Sequence, residues 1–203
     1  MMQRAERFMR SAVEAHVTPG ARVLDIGAGL RLDGSKGNVV TNQYAWMKPW
    51  IEQVHYEVLD VVATYHPDIV GDIMAMPVAD QAYDVIFCMA ILEHVQKPWL
   101  AFSELYRVLK PGGALIGFVP FLAPYHAMPG YYGDYYRFTD DGIRFLAADF
   151  SRVDLCPTRG PVESLFHLLP GSLSRLERVG RFVDRWRSNS GKQVAGYVFL
   201  AIK

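Results

Sequence analysis

Long apolar runs are missing from this chain. No stretch of its 203 residues approaches the ~20 consecutive apolar positions that a membrane-spanning helix needs. Cysteine is scarce as well. Cys88 lies inside an apolar run and Cys156 stands alone, so no disulfide framework is expected and a reducing compartment is. Residues 1–16 carry Arg4, Arg7, Arg10 and Glu14 without an apolar core, which argues against a secretory signal. The formal net charge is zero, leaving no basic footprint for phosphates, so no nucleic-acid partner is expected. Repeats, low-complexity segments and His/Cys/Asp clusters at metal-ligand spacing are lacking too, and no metal is expected. These absences point to a cytoplasmic chain.

What is present is a large apolar complement. Half of the residues are hydrophobic and 13% are aromatic, enough for one folded domain over 1–203 with a sizeable core. Residues 3–16 have helical amphipathic spacing, closed by Thr18-Pro19-Gly20. Strands are expected at 22–26, 56–59 and 68–71. The run from Ala82 to Leu92 is too continuously apolar for a half-exposed strand and suits a central one. A helix starts at Pro98 and ends at Lys110-Pro-Gly-Gly113, followed by a strand at 114–119. A Pro/Gly/Tyr-rich stretch covers 120–139, then a helix to about 148. Strands at 150–155 and 194–202 close the chain. Between them, residues 172–188 form a basic amphipathic helix; seven basic against two acidic residues give 172–203 a charge of +5. Such a helix suits an anionic membrane surface or a partner, or simply packs on its own sheet with a solvated charged face. Alternating strands and helices predict an α/β, Rossmann-like three-layer sandwich. Its sheet is seven-stranded and mostly parallel, with an antiparallel C-terminal strand.

The segment Arg22-Val-Leu-Asp-Ile-Gly-Ala-Gly-Leu30 carries the most chemistry. A buried strand runs into a turn where Gly27 and Gly29 let the backbone approach a ligand, with Asp25 at the strand end. A dinucleotide loop needs a third glycine, and Leu32 stands there instead. A carboxylate before Gly-x-Gly suits a cationic, phosphate-free ligand, and S-adenosylmethionine, with its ammonium and sulfonium groups, is one. Asp60 ends the second strand, where a carboxylate can accept both ribose hydroxyls, and Asp72 follows the third, where it can accept from an adenine amino group. Asp84 starts its strand at the opposite edge and reads as structural.

Val-Leu-Asp-Ile-Gly-Ala-Gly (23–29), Gly-Asp-Ile-x-x-x-Pro (71–77), Ala-Tyr-Asp-Val-Ile (82–86), Leu-Glu-His-Val (92–95) and Glu-Leu-x-Arg-Val-Leu-Lys-Pro-Gly-Gly (104–113) occur in this order. Together they resemble a class I S-adenosylmethionine-dependent methyltransferase of the type 11 kind over roughly residues 20–155. The resemblance implies a cofactor-binding core there. Asp25, Gly27 and Gly29 would hold the methionine end, Asp60 the ribose, and Asp72 with Ile73 the adenine. Ala90, Ile91 and Glu93 would line the cofactor after the central strand. The sequence departs from the family pattern at Leu32 and in the glycine-interrupted 30–50 stretch, where a loop and a short or broken helix near 43–53 replace the usual helix. Gly133-Asp-Tyr-Tyr-Arg-Phe-Thr139 is similar to a segment in a subgroup associated with glycan or lipid modification.

The acceptor loop is expected at 120–140. Its Tyr132, Tyr135, Tyr136 and Arg137 are candidate acceptor contacts, because tyrosines offer an apolar face with a polar tip and arginine forks onto carboxylate or phosphate. The competing reading folds the loop back, with Arg137 paired to Asp134 or Asp140. Candidate general bases are His126 and His94, since imidazole titrates near neutrality; local backbone bonding is the alternative for His94. The function expected is in-line transfer of a methyl group to a small-molecule, glycan or lipid-linked acceptor. The rivals are a nicotinamide-dependent oxidoreductase and a methyltransferase-like binding protein without turnover.

Overall fold

A strand that is apolar at every position needs cover on both faces. Tyr83–Met89 has it: Val85 and Phe87 are buried in one apolar cluster, Ile86 and Cys88 in another on the opposite side of the sheet. The structure, a computed structural model, describes residues 2–27, 44–169, 176–186 and 193–203. Gly29 and most of the glycine-interrupted 30–50 stretch lie outside the described residues.

In chain order the elements are α1 (Met2–His16), β1 (Arg22–Ile26), α2 (Lys48–Ile51), β2 (His55–Asp60), β3 (Ile69–Val70), β4 (Tyr83–Met89), α3 (Pro98–Val108), β5 (Leu109–Pro120), α4 (Asp140–Leu146), β6 (Arg152–Pro157), α5 (Pro161–His167), α6 (Glu177–Trp186) and β7 (Gly196–Ile202). The strands form a seven-stranded sheet in the order β3-β2-β1-β4-β5-β7-β6. β1 is parallel to β2 and β4, β2 to β3, and β4 to β5; β7 runs antiparallel to both β5 and β6. The expected fold class is the observed one. Ala5, Met9 and Val13 of α1 and Ile51 of α2 cover one face of the sheet. Leu105 and Val108 of α3 and Ile143 of α4 cover the other.

Three elements differ from the sequence reading. β5 begins at Leu109 rather than Ala114, because Lys110 to Gly113 form an irregularity inside the strand: Tyr83 pairs with Leu109, and Val85 already pairs with Ala114. Gly113 permits it, as a Cβ there would meet the Lys110 carbonyl oxygen at 2.9 Å and that of Asp84 at 3.0 Å. The helix α5 was not legible, being only two turns long and too short to show a period. Its first-turn N–H groups at Val162 and Glu163, which have no partner within the helix, donate to Asp184 of α6 at 3.2 and 2.9 Å. Gly180 brings the two helices together, since a Cβ there would meet the Glu163 backbone at 2.8 Å. The described part of the basic helix thus packs on α5, and Val179 and Phe182 stay exposed.

One side chain fixes the loop between β3 and β4 to α3. The Arg107 guanidinium donates to both Glu104 oxygens at 2.7 Å, to Asp80 at 2.7 Å, and to the Val78 and Met76 carbonyls at 2.9 and 3.0 Å. Glu104 accepts in turn from the Met76 N–H at 2.7 Å. This clamp holds the segment that follows Asp72 and Ile73. Arg107→Ala is expected to lower the unfolding free energy by about 2 kcal/mol, after discounting its charged hydrogen bonds for partial exposure. Arg107→Lys should recover little of this, because an ammonium lacks the planar fork. Denaturant titration measures both. The hydrogen bonds from Arg107 hold the Glu104 carboxyl below its ordinary value. Its contribution is therefore complete above the ordinary carboxylate pKa and is lost as the pH falls through the lowered one; Glu104→Gln should flatten that acid limb.

Candidate active site

In an open parallel sheet the crevice lies beyond the carboxyl ends of the strands, where the chain leaves β1 in one direction and β4 in the other. Here β1, β2, β3 and β4 all end at one edge, around a cavity of about 990 Å³. Asp25 is buried and accepts from the Tyr56 hydroxyl of the neighbouring strand. Gly27 follows in the left-handed region with φ +107°, its N–H donating to the Leu59 carbonyl at 2.8 Å. A Cβ at Gly27 would meet Ile91 Cδ1 at 2.6 Å, so only glycine lets the β1 turn lie this close to the β4 turn. Ala90 beside it also adopts a left-handed backbone, φ +57°, which non-glycine residues seldom do outside constrained sites.

Asp60 stands at the end of β2 with Oδ1 accepting from the Val62 N–H at 2.7 Å, a turn that fixes the carboxyl at the cavity wall. Asp72 is built in the same way, Oδ1 accepting from the Met74 N–H at 2.8 Å. The structure brings Asp25, Gly27, Asp60, Asp72, Ile73, Ala90 and Ile91 to one cavity, together with His94, Tyr132 and Tyr135. Glu93, His126, Tyr136 and Arg137 are not among its lining residues. Tyr44 and Tyr65 line it and were not singled out by the sequence; neither belongs to a motif. Burial, with the Asp25 charge nearby, pushes the Tyr44 hydroxyl up to about 12. The Tyr65 ring stacks on Tyr131 of the 120–140 loop, with centroids 5.7 Å apart and an angle of 5°.

Arg137 is committed to its own loop. It forks onto Asp134, and it donates to the carbonyls of Ala123 at 3.2 Å, Pro124 at 2.8 Å and Tyr136 at 2.8 Å. Tyr136 donates to the Gln96 carbonyl at 2.9 Å. The Glu93 carbonyl accepts from the N–H groups of Tyr135 and Tyr136 at 2.8 and 3.2 Å, pinning the loop to the turn after β4.

Behind the wall, the Glu93 side chain is 1% exposed and its Oε2 has no hydrogen-bond partner. Burial pushes its carboxyl up to about 7, against the opposing pull of His126 and Arg137. His94 Nδ1 lies 2.6 Å from the Gly133 carbonyl, and burial lowers the pKa of the ring. His126 meets the His94 ring edge-on at 4.9 Å, and its Nε2 lies 3.6 Å from Glu93 Oε1. Proximity along the chain linked Glu93 to His94; nothing in the sequence linked either to His126.

Comparison with known proteins agrees with this architecture. Residues 45–117 match the family described as Methyltransferase domain. The demethylmenaquinone methyltransferase of Renibacterium salmoninarum is 32% identical over 123 residues, covering 57% of this chain and 48% of that protein. A S-adenosylmethionine-dependent methyltransferase from Archaeoglobus fulgidus shares the fold with a TM-score of 0.60 at 14% identity, over 100% of this chain and 96% of that one. The 1,6-didemethyltoxoflavin-N1-methyltransferase of Burkholderia thailandensis, solved with bound 1,6-didemethyltoxoflavin and S-adenosylhomocysteine, gives a TM-score of 0.55 at 18% identity over 98% of this chain and 78% of that one. Over residues 45–117 the chain is thus similar to the family described as Methyltransferase domain, and it shares its fold with S-adenosylmethionine-dependent methyltransferases of known structure. It spans about half the length, or less, of the curated relatives it matches.

The close approach at Gly27 is directly testable. Gly27→Ala is expected to cost about 1–3 kcal/mol of stability, from left-handed strain in a residue with a Cβ. Adding Ile91→Ala removes the steric part but not the strain, so the double variant should recover only a fraction in denaturant titration.

Proposed function

We propose that this chain is an S-adenosylmethionine-dependent methyltransferase acting on a small-molecule, glycan or lipid-linked acceptor. The observation that carries the reading is the glycine cradle at Gly27 with Asp25, Asp60 and Asp72 around one cavity. Carboxylates and a bare backbone suit a cationic nucleoside and oppose a pyrophosphate. Asp25 and Gly27 would hold the methionine end, Asp60 the ribose hydroxyls, and Asp72 with Ile73 the adenine. The cavity lies at the upper end of the usual range for ligand sites, which supports room for a second reactant. Its tyrosine-rich side, with Tyr132 and Tyr135 from the 120–140 loop, supports an acceptor with an apolar or sugar-like face. The names of the demethylmenaquinone and 1,6-didemethyltoxoflavin methyltransferases, both of which specify small molecules, support the same class.

When bound, S-adenosylmethionine supplies a methyl group already activated by its sulfonium charge. The residues here therefore bind, orient and exclude water, which accounts for most of the rate such a reaction needs. Removal of an acceptor proton, where the acceptor carries one, falls to the side of the cavity that His94 lines and His126 backs.

The domain assignment proposed is a single unit over 1–203, with 20–155 as the cofactor core. Exposed Val179 and Phe182 on the basic α6 support contact with a membrane surface. Among the described residues no helix is long and apolar enough to cross a membrane. Free, buried Cys88 and Cys156 support a reducing, cytoplasmic setting.

Calorimetric titration with S-adenosylmethionine and with NADH separates the methyltransferase from the oxidoreductase; preferential NADH binding would overturn the proposal. Asp60→Ala should weaken S-adenosylmethionine binding about tenfold or more, the value of a charged hydrogen-bond pair to ribose. Incubation with labelled-methyl donor and fractionated metabolites and lipids should label one fraction. No transfer in any fraction would favour a binding protein without turnover.

A further inference from the structure

We propose that Glu93, His94 and His126 form a binding site for one divalent transition-metal ion beside the cavity. The expectation of no metal rested on spacing along the chain, and the fold joins residues that spacing separates. One ligand atom from each of the three lies within 4.8 Å of the others.

The hydrogen bonds around the cluster decide which atoms face inward. His94 Nδ1 is 2.6 Å from the Gly133 carbonyl oxygen. His126 Nδ1 is 3.0 Å from the Pro124 carbonyl oxygen and 3.4 Å from Asp134 Oδ2. A carbonyl only accepts, so each Nδ1 carries the proton and each Nε2 presents a lone pair. These Nε2 atoms lie 4.0 Å (His94) and 3.6 Å (His126) from Glu93 Oε1. Both separations exceed a hydrogen bond, whose N···O distance is about 2.7–3.2 Å. The 3.6 Å separation is close to the ~3–3.5 Å between neighbouring ligand atoms around an ion with bonds of about 2.0–2.2 Å, and the 4.0 Å one would shorten as His94 turns onto an ion. Three acceptors thus converge, with neither imidazole donating to the Glu93 carboxylate, which accepts from its own backbone N–H.

Two more observations point to a ligand. The Glu93 carboxylate is 1% exposed, yet its Oε2 has no hydrogen-bond partner, an arrangement that costs energy unless something compensates it. Both imidazoles are also oriented from behind, by a backbone carbonyl and, for His126, by Asp134 as well, the outer-shell pattern that fixes metal-binding histidines. Two imidazoles and one carboxylate suit Zn²⁺, Mn²⁺, Fe²⁺ or Co²⁺ better than Ca²⁺ or Mg²⁺. The set fills three positions and leaves others open next to His94 at the cavity wall. Within the methyltransferase reading, an ion there would take an oxygen or nitrogen of the acceptor and favour loss of its proton to solvent.

Metal binding is tested without reference to activity. The full chain, stripped with chelator, is titrated calorimetrically with Co²⁺, Zn²⁺, Mn²⁺ and Mg²⁺ in turn, and Co²⁺ binding is followed by its visible absorption. One equivalent of a transition metal is expected, with Mg²⁺ much weaker. His126→Ala, on an exposed loop, should weaken binding about tenfold or more, as should Glu93→Gln; His55→Ala, distant from the cluster, should not. Equal metal affinity in wild type and His126→Ala, or no binding in the wild type, overturns the site. S-adenosylmethionine titrated into the same samples keeps the two readings apart, because its failure to bind would overturn the methyltransferase proposal and leave the metal result standing.

Discussion

The pairing of β1 between β2 and β4 is the constraint from which the site follows. Its parallel register sets Asp25 opposite Val58 on one side and Phe87 on the other, and Ile26 opposite Leu59 and Cys88. Each strand therefore ends at the same edge, and the Gly27 N–H closes the turn on Leu59. A slip of one residue would turn Asp25 and Ile26 to the opposite faces. The buried Leu24 and Ile26 on one face and Val23 on the other make that slip costly. The carboxylates reach the cavity because the core holds the register.

The motifs that resemble the family divide between the two ends of this sheet. Asp25, Gly27, Asp72 and Ile73 stand at the cavity. Asp84 and Lys110 stand at the other end, where Lys110 Nζ meets both Asp84 oxygens at 2.7 Å and Asp84 accepts from the Arg22 N–H at 2.8 Å. That contact ties the starts of β1 and β4 to the irregularity in β5. Glu104 and Arg107 belong to neither end and clamp the loop that carries Asp72. Much of what makes the sequence pattern specific therefore secures the scaffold. The pattern carries the resemblance to the family and says little about what else the cavity would bind.

The same division explains what was legible in the sequence. β4 announced itself by an unbroken apolar run, and α3 by periodic Leu100, Leu105 and Val108 between Pro98 and the glycines. Asp84 was legible as structural because it starts its strand. Tyr44 and Tyr65 were not legible, because a tyrosine at a cavity wall has no local signature. The Glu93–His94–His126 cluster was hidden for another reason: it depends on the 120–138 loop folding back, and that fold is set by hydrogen bonds from Tyr135 and Tyr136 to the Glu93 carbonyl. Arg137 illustrates the limit most clearly. Its sequence context allowed both an acceptor contact and an internal ion pair, and only the geometry of Asp134 and the carbonyls around it shows where its donors go.

That commitment of Arg137 bears on how the cavity works. Phe138 donates to the Pro120 carbonyl at 2.9 Å, and Arg137 crosses to Ala123 and Pro124, so the base of the loop is fastened on both strands of its entry and exit. Its rim is held differently. Tyr131 reaches the turn after β2 through its stack on Tyr65, and Tyr65 meets Met128 Sδ at 4.0 Å. A ring stack contributes about 0.5–1.5 kcal/mol, far less than the charged fork at the base. The cavity wall is thus fastened by hydrogen bonds and a charged fork near His94 and Tyr132, and carries a ring stack where Tyr65 and Tyr131 meet. On the methyltransferase reading proposed above, the first property would serve positioning of the reactants and the second their exchange.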